Sequence, residues 1–346
     1  MPEAPRRDSA NQLLEHLRKA TRVTDAARFP ATADSLPAGV TDKGRRPAVV
    51  ATEIPMQQLE LVKEAKISDI LAGRLDPRLE ASGVLAKDGL FYVIFDNLPH
   101  IARIGPELSR MAAANHVIKQ EKGHRSGFED ITYDAIDGRF YVLVESLPHG
   151  HGRYMAQVQE YDASFGYLRS AWLEYPLDRP NKGLGGLTCV HRQGQTYLLG
   201  LCEGNKCKGG AEGRIPGGGR VHVFRQGQRH WERVGKIRLP KTVLFEDYSG
   251  ITVTGDRIGV VSHASSALWL GDLSPSGWEV TGVGACYALP RDADGGIVYG
   301  TAEGVSWVTP SQVVVVSDKA KPEQDSRCGA KDQSIHIFRI PVPGRS

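Results

Sequence analysis

The sequence has little cysteine, almost no charge imbalance and no long apolar run, and each shortage excludes a class of protein. Five cysteines in 346 residues, an odd number, fit a reducing compartment better than a disulfide framework. Lys and Arg total 43 against 40 Asp and Glu, so the chain lacks the basic field that would indicate binding to nucleic acid or to a membrane surface. The apolar runs are no longer than a strand, so we expect no membrane span.

Common targeting and catalytic signatures are also absent. Residues 1–21 lack the continuous apolar stretch of roughly seven residues or more that a secretion signal needs. We therefore expect a cytoplasmic protein, unless a leader is missing from the sequence. No Gly-x-Ser-x-Gly elbow, His-Glu-x-x-His helix or dinucleotide fingerprint occurs, so the sequence offers no recognisable nucleophile or cofactor loop.

What the sequence does contain is glycine, proline and a repeated phrase. There are 39 glycines and 20 prolines, spread between short β-rich runs, as expected for many strands and tight turns. A short phrase that ends in an aliphatic residue occurs five times, at residues 82–84, 129–131, 185–187, 249–251 and 303–305. Successive copies lie roughly 45 to 65 residues apart, which is the length of a four-stranded antiparallel blade with loops of uneven size.

Alternation within the repeats predicts the individual strands. In the second and fourth repeats we expect strands over 128–133, 139–145, 155–161, 167–175, 249–254, 257–262, 267–273 and 278–289. The third repeat carries a glycine-rich insertion, residues 208–219, between its second and third strands. The fifth repeat ends after three strands, so the apolar-alternating run 59–67 is the natural donor of its fourth strand.

These patterns predict an all-β fold, a five-bladed β-propeller closed by an N-terminal strand and preceded by a short helical arm. We assign residues 1–55 to the arm and residues 56–346 to the propeller. In the arm, Ser9 can cap an amphipathic helix over residues 10–23. The arm is either a partly flexible leader, a helix packed on the propeller or a partner-binding segment.

Polar residues are concentrated at one mouth of the predicted axial channel. In a blade of this kind, the start of the inner strand meets the end of the second strand beside the axis. The innermost residues are Ser82, Glu129, Gly185, Ser249 and Glu303, and Asp96, Glu145, Glu203, His263, Asp318 and Lys319 lie further out. The mouth therefore gathers carboxylates and hydroxyls with a few bases.

A hard cation would relieve the repulsion between the innermost carboxylates. Glu129 and Glu303 would face a common axis about ten angstroms across or less, where they would repel each other and take up protons. Calcium accepts about six to eight oxygens at loose geometry, so carboxylates, serine hydroxyls, backbone carbonyls and water suit it better than magnesium or zinc. The alternative is a water-filled channel whose polar residues are solvated.

Five motifs resemble a known group of propellers. GFEDITYD (127–134), GRFYVLVE (138–145), NKGLGGL (181–187), SHASSALW (262–269) and AEGVSW (302–307) resemble the bacterial SdiA-regulated and esterase-like phytase group. The succession of innermost residues is also similar to that of the calcium-activated nucleotidase (apyrase) propellers. The resemblance spans residues 59–341, and its short motifs are more specific for fold than for substrate.

The resemblance implies a central calcium held by side chains from successive blades. The apyrase propellers use Ser, Glu, Glu, Ser and Glu, which implies that the calcium ligands here are Ser82, Glu129, Ser249 and Glu303. Gly185 stands where both groups would have Glu. This departure leaves the third blade with a backbone carbonyl only, and it either weakens the site or shifts the cation toward Glu129 and Glu303.

Histidines and the insertion supply further candidates. His149 and His151 follow the second strand of the second repeat, and His100 lies in the corresponding loop of the first repeat. They are either metal or acid–base groups at the mouth or solvent-facing turn residues. His263 is either catalytic or a hydrogen-bonded structural residue. The insertion is either a mobile lid or an ordinary surface loop.

Two classes of function follow. The first is a calcium-centred hydrolase of a small polar, phosphorylated ligand. Its candidate substrate-binding residues are His100, His149, His151, Arg153, Lys182, Asp318 and Lys319, and its candidate catalytic residues are Glu145, Glu203 and His263. The second is a non-catalytic propeller with a structural calcium, whose mouth binds a small ligand or a protein segment. The fold alone does not decide between them, because propellers host both classes.

Overall fold

The computed structural model describes residues 56–75, 78–120, 122–123, 127–180 and 183–341. In these residues, four-stranded antiparallel sheets form the five blades of a β-propeller. The predicted fold class is therefore confirmed. The arm, including its expected helix over residues 10–23, lies outside the described residues.

The strands of the first two blades follow one another along the chain. After β1 (Glu60–Lys66), blade 1 consists of β2 (Ala81–Lys87), β3 (Leu90–Phe95), β4 (His100–Ile104) and β5 (His116–Lys119). Blade 2 consists of β6 (Phe128–Asp134), β7 (Arg139–Pro148), β8 (Tyr154–Tyr161) and β9 (Tyr167–Trp172). Each blade begins with its inner strand, as the repeated phrase predicts.

The remaining blades have the same order. Blade 3 consists of β10 (Leu184–Arg192), β11 (Gln195–Cys202), β12 (Arg220–Gln226) and β13 (Trp231–Arg238). Blade 4 consists of β14 (Gly250–Thr254), β15 (Arg257–Ser262), β16 (Ala267–Leu273) and β17 (Val280–Ala288). Blade 5 contains β18 (Ala302–Thr309), β19 (Gln312–Ser317) and β20 (Ser334–Arg339), with β1 outside β20. The first described strand therefore completes the last blade, and the predicted donor strand is confirmed.

The helical segments among the described residues are short and lie in the connections between strands. They are α1 (Ile67–Ile70), α2 (Gly210–Gly213) and two 3-10 turns, Asn205–Cys207 and Ser326–Ala330. In the part of the chain that the structure describes, no helix has the length and hydropathy needed to cross a membrane.

Apolar side chains fill the spaces between neighbouring blades, as β19 illustrates. Val315 belongs to the same buried cluster as Leu268 of blade 4, whereas Val314 belongs to the same cluster as Phe95 of blade 1. Successive side chains of a strand point to opposite faces, so β19 is buried on both sides. This explains why its sequence is a continuous valine run rather than an alternating pattern.

The inner strands approach one another closely at the axis. Gly83, Gly186, Gly250 and Gly304 hold the second position of the repeated phrase in four blades. A Cβ on Gly304 would lie 2.7 Å from the Cα of Gly83, and a Cβ on Gly83 would lie 2.7 Å from the Cα of Asp130. At these positions the backbones leave no room for a side chain.

Asp130 holds the same position in blade 2, and its carboxylate ties three blades together. The backbone N–H groups of Ile131 and Leu187 each donate to it at 2.8 Å, and that of Ile251 also donates to it. Burial raises the pKa of Asp130, and these three donors oppose the shift. The side chain is 1% exposed, so the carboxylate serves the fold rather than a ligand.

A polar network joins the two strands that close the ring. His336 Nδ1 of β20 and the Tyr299 hydroxyl each lie 3.1 Å from the carboxylate of Glu64 in β1, and Lys331 forms an ion pair with it. The hydrogen bond from His336, helped by Lys331, lowers the pKa of Glu64 to about 2, although burial opposes the shift. The charged form of Glu64 therefore stabilises the closed ring.

We expect Gly304→Ala to lower the free energy of unfolding by about 2 kcal/mol or more, because the added Cβ meets backbone that cannot move aside. Urea denaturation measures the difference. Gly329→Ala is the matched control, since a Cβ there has no heavy atom within 4 Å. Equal losses in the two variants would contradict the crowded axis.

The Glu64 network makes stability sensitive to acid. Its folded-state pKa of about 2 lies below the ordinary value of 4.5, so its stabilisation is present above pH 4.5 and is lost as the pH falls toward 2. We expect the Tm difference between wild type and Glu64→Gln to shrink over this window. Glu60→Gln is the control, because Glu60 pairs with Arg339 at an exposed surface and should change Tm little.

Candidate functional site

A cavity of about 840 Å³ opens at one mouth of the propeller. Residues at the starts of the inner strands and near the ends of the second strands line it, together with parts of four loops, residues 204–214, 246–248, 297–300 and 321–328. Eight sequence-predicted candidates lie in its wall: Ser82, Glu129, Glu145, Glu203, Ser249, His263, Glu303 and Asp318. The structure thus brings most of the candidate residues to a single site.

A β-bulge at the start of the inner strand positions several of the innermost side chains. The pairing of inner and second strands shifts register between Ala81 and Gly83 and between Phe128 and Asp130. Ser82 and Glu129 are therefore extra residues without a partner across the ladder. A bulge bends the strand and turns the side chain of its extra residue, which brings these two to the cavity wall.

The cavity is strongly acidic. Eleven of its lining residues carry carboxylates: Glu80, Asp96, Glu129, Glu145, Glu203, Glu246, Asp247, Glu303, Asp318, Glu323 and Asp325. Among the residues that the structure describes, the basic ones in the wall are Lys208, Arg214, His263 and Lys321, and Lys208 already pairs with Glu212 at 2.9 Å. Such an excess of like charge favours proton uptake or a bound cation.

Three of these carboxylates form a compact cluster. Asp96 follows β3, Glu129 lies in β6 and Glu145 lies in β7, and one oxygen of each is within 4.8 Å of the other two. Backbone bonds from Gly127 N to Asp96 O and from Glu145 N to Gly127 O, both 2.7 Å, bring the three residues together. The cluster therefore arises where blade 1 meets blade 2.

Glu129 is the most perturbed member of the cluster. Burial raises its pKa well above the ordinary value, and the charges of Glu203, Glu145 and Asp96 raise it further. Its side chain has no hydrogen-bond or ion-pair partner among the described residues. Glu129 is therefore a carboxylate that takes up either a proton or a cation.

Glu203 occupies the space that Gly185 leaves open. A Cβ on Gly185 would lie 2.6 Å from the Cγ of Glu203, so a side chain at position 185 and Glu203 in its present place exclude each other. Glu203 accepts a hydrogen bond from Gly183 N at 3.1 Å. After burial, its charge contributes most to the raised pKa of Glu129. The expectation that blade 3 offers only the backbone carbonyl of Gly185 is therefore incomplete. Blade 3 also supplies the carboxylate of Glu203, which follows its second strand.

His263 follows β15 and lies between two carboxylates. Its Nδ1 is 3.2 Å from Glu303 Oε1 and 3.3 Å from Asp247 Oδ2. Burial lowers the pKa of His263, but these carboxylates outweigh burial and raise it to about 9. At neutral pH His263 is an imidazolium, which can donate a proton but cannot act as a base.

The two innermost serines bond to the backbone of the next blade. The Ser82 hydroxyl donates to Phe128 O, and the Ser249 hydroxyl donates to Ala302 O at 2.8 Å. These bonds use the hydroxyl hydrogens and leave oxygen lone pairs that can accept. Both serines therefore join blades, and both remain in the cavity wall.

The loop after β19 places Lys321 in the cavity wall, a cation that the sequence pattern did not single out, next to the candidate Asp318. Burial, together with the charge of Glu303, raises the pKa of Asp318 to about 7. Lys319 is exposed and does not line the cavity, whereas Lys321 does. Burial raises the pKa values of Asp96 and Asp318, and the positive charge of Lys321 opposes this rise. A Lys-Ala-Lys sequence cannot by itself indicate which lysine faces the axis.

The structure does not bring the three candidate histidines His100, His149 and His151 to the cavity. His149 is exposed and stacks edge-on against Trp172 at 4.6 Å, His151 is exposed, and neither they nor His100 lines the cavity. His149 and His151 follow the paired end of β7 as exposed residues, whereas His100 is half-buried at the start of β4. Lys182 lies outside the described residues.

The glycine-rich insertion forms part of the cavity wall and is anchored by one buried asparagine. Lys208, Gly213 and Arg214 line the cavity. Asn205, which is fully buried, donates to Gly213 O at 3.0 Å and accepts from Gly218 N at 2.8 Å. Asn205 therefore ties the insertion to the propeller at its middle and near its C-terminal end.

The cysteines differ from the expectation of reduced thiols. Cys202 and Cys207 form a disulfide, with Cα atoms 5.1 Å apart, whereas Cys189, Cys286 and Cys328 are free. An odd number of cysteines does not indicate whether any two of them are paired. Here the chain turns back on itself between residues 202 and 207, and this turn brings the two Cα atoms to disulfide distance.

We expect Glu303→Gln to lower the pKa of His263 by about one unit or more, because it removes the nearest stabilising charge. An NMR pH titration of the His263 ring measures the shift. Glu323→Gln, a change elsewhere in the cavity wall, should leave the pKa near 9, and an equal shift in both variants would contradict the assigned pair. Since the folded-state pKa exceeds the ordinary value of 6.5, the pair's stabilisation is present below pH 6.5 and is lost as the pH rises through 9.

Comparisons with known families and curated proteins assign no family to this chain. No protein-family model matches the chain, and no curated protein matches it. The sequence resemblance to the SdiA-regulated, phytase and apyrase groups thus receives no support from a family match.

Solved structures with a similar fold have low sequence identity. Glutaminyl cyclase from Myxococcus xanthus is 11% identical with a TM-score of 0.49, and the match covers 83% of this chain and 99% of that chain. The calcium-binding protein regucalcin from Agrobacterium tumefaciens is 11% identical with a TM-score of 0.42, covering 78% and 92%. The PQQ-bound aldose sugar dehydrogenase from Streptomyces coelicolor is 11% identical with a TM-score of 0.40, covering 80% and 98%. Similarity at this level does not assign an activity.

Proposed function

We propose that this propeller binds a divalent cation, calcium by preference, at the cluster of Asp96, Glu129 and Glu145, and hydrolyses a small phosphorylated ligand at the same mouth. The observation that carries the proposal is the approach of three carboxylate oxygens to within 4.8 Å of one another. Carboxylates this close repel one another in their charged forms, and a bound cation relieves that repulsion.

The donor set favours calcium over other divalent cations. The cluster and its neighbours Glu203 and Ser82 offer only oxygen atoms, and the cavity leaves room for water. Calcium takes about six to eight oxygen ligands at loose geometry, whereas zinc prefers nitrogen and sulfur ligands, and magnesium demands near-octahedral order. Glu303 is paired with His263, so we place it beside the cation site rather than in it.

A cation would also reconcile an acidic cavity with a phosphorylated ligand. Bound calcium supplies positive charge that neutralises substrate oxygens. Around it, Lys321 and Arg214 extend from two different loops in the cavity wall and can hold anionic groups. They replace the clamp expected from Lys319.

The protonation states suggest how proton transfer is divided within the site. Glu145 and Glu203 raise the pKa of Glu129 through their charge, and either can accept a proton from water. His263, with its pKa of about 9, suits the role of proton donor to a leaving group. Asp318, with its pKa of about 7, can exchange a proton with solvent near neutral pH.

The first test is calorimetric titration of chelator-treated protein with calcium chloride. We expect wild type to bind calcium and Glu129→Gln to bind it about tenfold or more weakly, because the central ligand loses its charge. Glu323→Gln is the matched control: it removes a carboxylate from the same cavity but not from the cluster. If wild type does not bind, or if both variants weaken binding equally, the cation site is wrong.

Turnover distinguishes the two classes of function. Phosphate release from a panel of phosphate esters and anhydrides, measured with and without calcium, should require calcium and should fall about a hundredfold or more in His263→Gln if His263 donates a proton. Calcium binding without turnover of any phosphorylated compound would instead support a structural calcium and a mouth that binds a small ligand or a protein segment.

A further inference from the structure

The part of the cavity wall that blade 3 contributes is built on a six-residue ring closed by a disulfide. Cys202 ends β11 and Cys207 ends the 3-10 turn that follows. The ring contains Glu203 of the cavity and the anchoring residue Asn205. Residues 208–219, which leave the ring at Cys207, then form the loop that lines the cavity with Lys208 and Arg214.

We propose that Cys202 and Cys207 form a reversible redox pair, which exchanges with small thiols and disulfides through Cys207 and controls the order of this wall. The proposal does not depend on the proposed hydrolase function. It rests on the surroundings of Cys207, on the backbone of the ring and on the hydrogen bonds that the ring holds.

A histidine is positioned to stabilise the thiolate of Cys207. His222 Nε2 lies 3.1 Å from Cys207 Sγ, and His222 Nδ1 accepts a hydrogen bond from Arg233 Nε at 2.7 Å. Because Nδ1 is an acceptor, the ring proton is on Nε2 and is donated to the sulfur. The arrangement is a chain of donors from Arg233 through His222 to Cys207.

The positive charges around His222 also stabilise the thiolate of Cys207. On the adjacent strand, Lys236 lies opposite His222, and Arg238 lies opposite Arg220. Burial, followed by the charge of Arg233, lowers the pKa of His222 to about 3, so the imidazole stays neutral and keeps the tautomer that donates to sulfur. Nearby cations and a donated hydrogen bond both favour a thiolate over a thiol.

The sulfur atoms of Cys202 and Cys207 differ in their exposure to solvent. Cys202 is completely buried in the apolar cluster that contains Tyr141 and Trp231, whereas Cys207 is partly exposed. Cys207 is therefore the sulfur that a small molecule can reach, and Cys202 is the resolving partner. Burial raises the pKa values of Cys189 and Cys286, so those free thiols react slowly and serve as internal references.

The backbone of the ring is held in a conformation that side chains avoid. Lys206 and Cys207 have φ angles of 60° and 55°, in the left-handed region that is unfavourable for non-glycine residues. Two consecutive residues in this region need an external constraint. The disulfide supplies one, and its reduction allows the segment to relax.

Asn205 transmits the state of the ring to the cavity wall. Besides its bonds to the insertion, its amide donates to Phe245 O at 3.0 Å, and its carbonyl accepts from the Tyr248 hydroxyl at 2.9 Å. Residues 246–248, which these bonds hold, lie in the cavity wall. A change in the ring therefore reaches both the insertion and the segment before β14.

The exchange reaction balances with a small disulfide as oxidant. The Cys207 thiolate attacks one sulfur of the small disulfide, whose S–S bond breaks and releases one thiolate. Cys202 then loses its proton to solvent and attacks Cys207 Sγ, which forms the internal disulfide and expels the second thiolate. Two electrons pass from the pair to the small disulfide, and two equivalents of a small thiol, or one dithiol, reverse the reaction.

Alkylation kinetics test the environment of Cys207. In the Cys202→Ser background, iodoacetamide should modify Cys207 at pH 7 faster than Cys189 or Cys286. Adding His222→Phe, which keeps an aromatic ring beside Tyr175 but removes the donor, should slow Cys207 about tenfold, the change in thiolate fraction for one pKa unit. An unchanged rate would contradict the role of His222.

Hydrogen exchange of the wild-type protein tests the coupling without any substitution that could disturb folding. After equilibration in oxidised or reduced glutathione, we expect the amides of residues 205–219 and 245–248 to exchange about tenfold faster in the reduced form, with β7 unchanged as the internal control. Mass mapping of alkylated, unreduced protein identifies the bond in each sample.

Two results would overturn the proposal. One is a Cys202–Cys207 pair that stays fully reduced in oxidised glutathione, or fully oxidised in reduced glutathione, because the pair would then not exchange. The other is identical hydrogen exchange of residues 205–219 in the two redox states, because the ring would then not control the wall. Neither result depends on whether the mouth binds calcium.

Discussion

The structure depends on the close approach of five inner strands at the axis. Four blades meet this constraint with glycine, and the fifth meets it with Asp130, whose carboxylate accepts backbone N–H groups from blades 2, 3 and 4. The crowding fixes where each inner strand begins. Because register shifts occur at this point, residues such as Ser82 and Glu129 turn from the sheet toward the mouth. The position of the site is therefore a consequence of how the ring closes.

The eleven carboxylates at this mouth repel one another, and neighbouring groups offset only part of that repulsion. His263 offsets Glu303 and Asp247 at one side of the cavity, and Asp318 is held with a raised pKa. In the cluster around Glu129, burial and the charges of Glu203, Glu145 and Asp96 raise the pKa of Glu129 well above its ordinary value. An account based on a bound cation explains why the chain keeps these acids together, since they would otherwise repel one another and destabilise the closed ring.

Much of the fold can be predicted from the sequence, because strand alternation, turn residues and a repeated phrase are local signals. Predicted strands such as 257–262 and 267–273 match β15 and β16 residue for residue, and the closing strand could be inferred from an incomplete fifth repeat. The site is less predictable. The pairing of Glu303 with His263, the place of Glu203 over Gly185 and the approach of Lys321 depend on loop paths and side-chain packing, which leave no periodic trace in the sequence.

The central claim is that a divalent cation binds at the cluster centred on Glu129. The most direct measurement is anomalous diffraction from crystals of the protein grown with calcium and, as a stronger scatterer, with manganese. The account predicts a peak about 2.3 to 2.6 Å from carboxylate oxygens of Glu129 and at least one of Asp96 and Glu145 when calcium is bound. A cavity in which well-ordered density shows these carboxylates bonded to one another or to water, with no anomalous peak at millimolar cation, would contradict it.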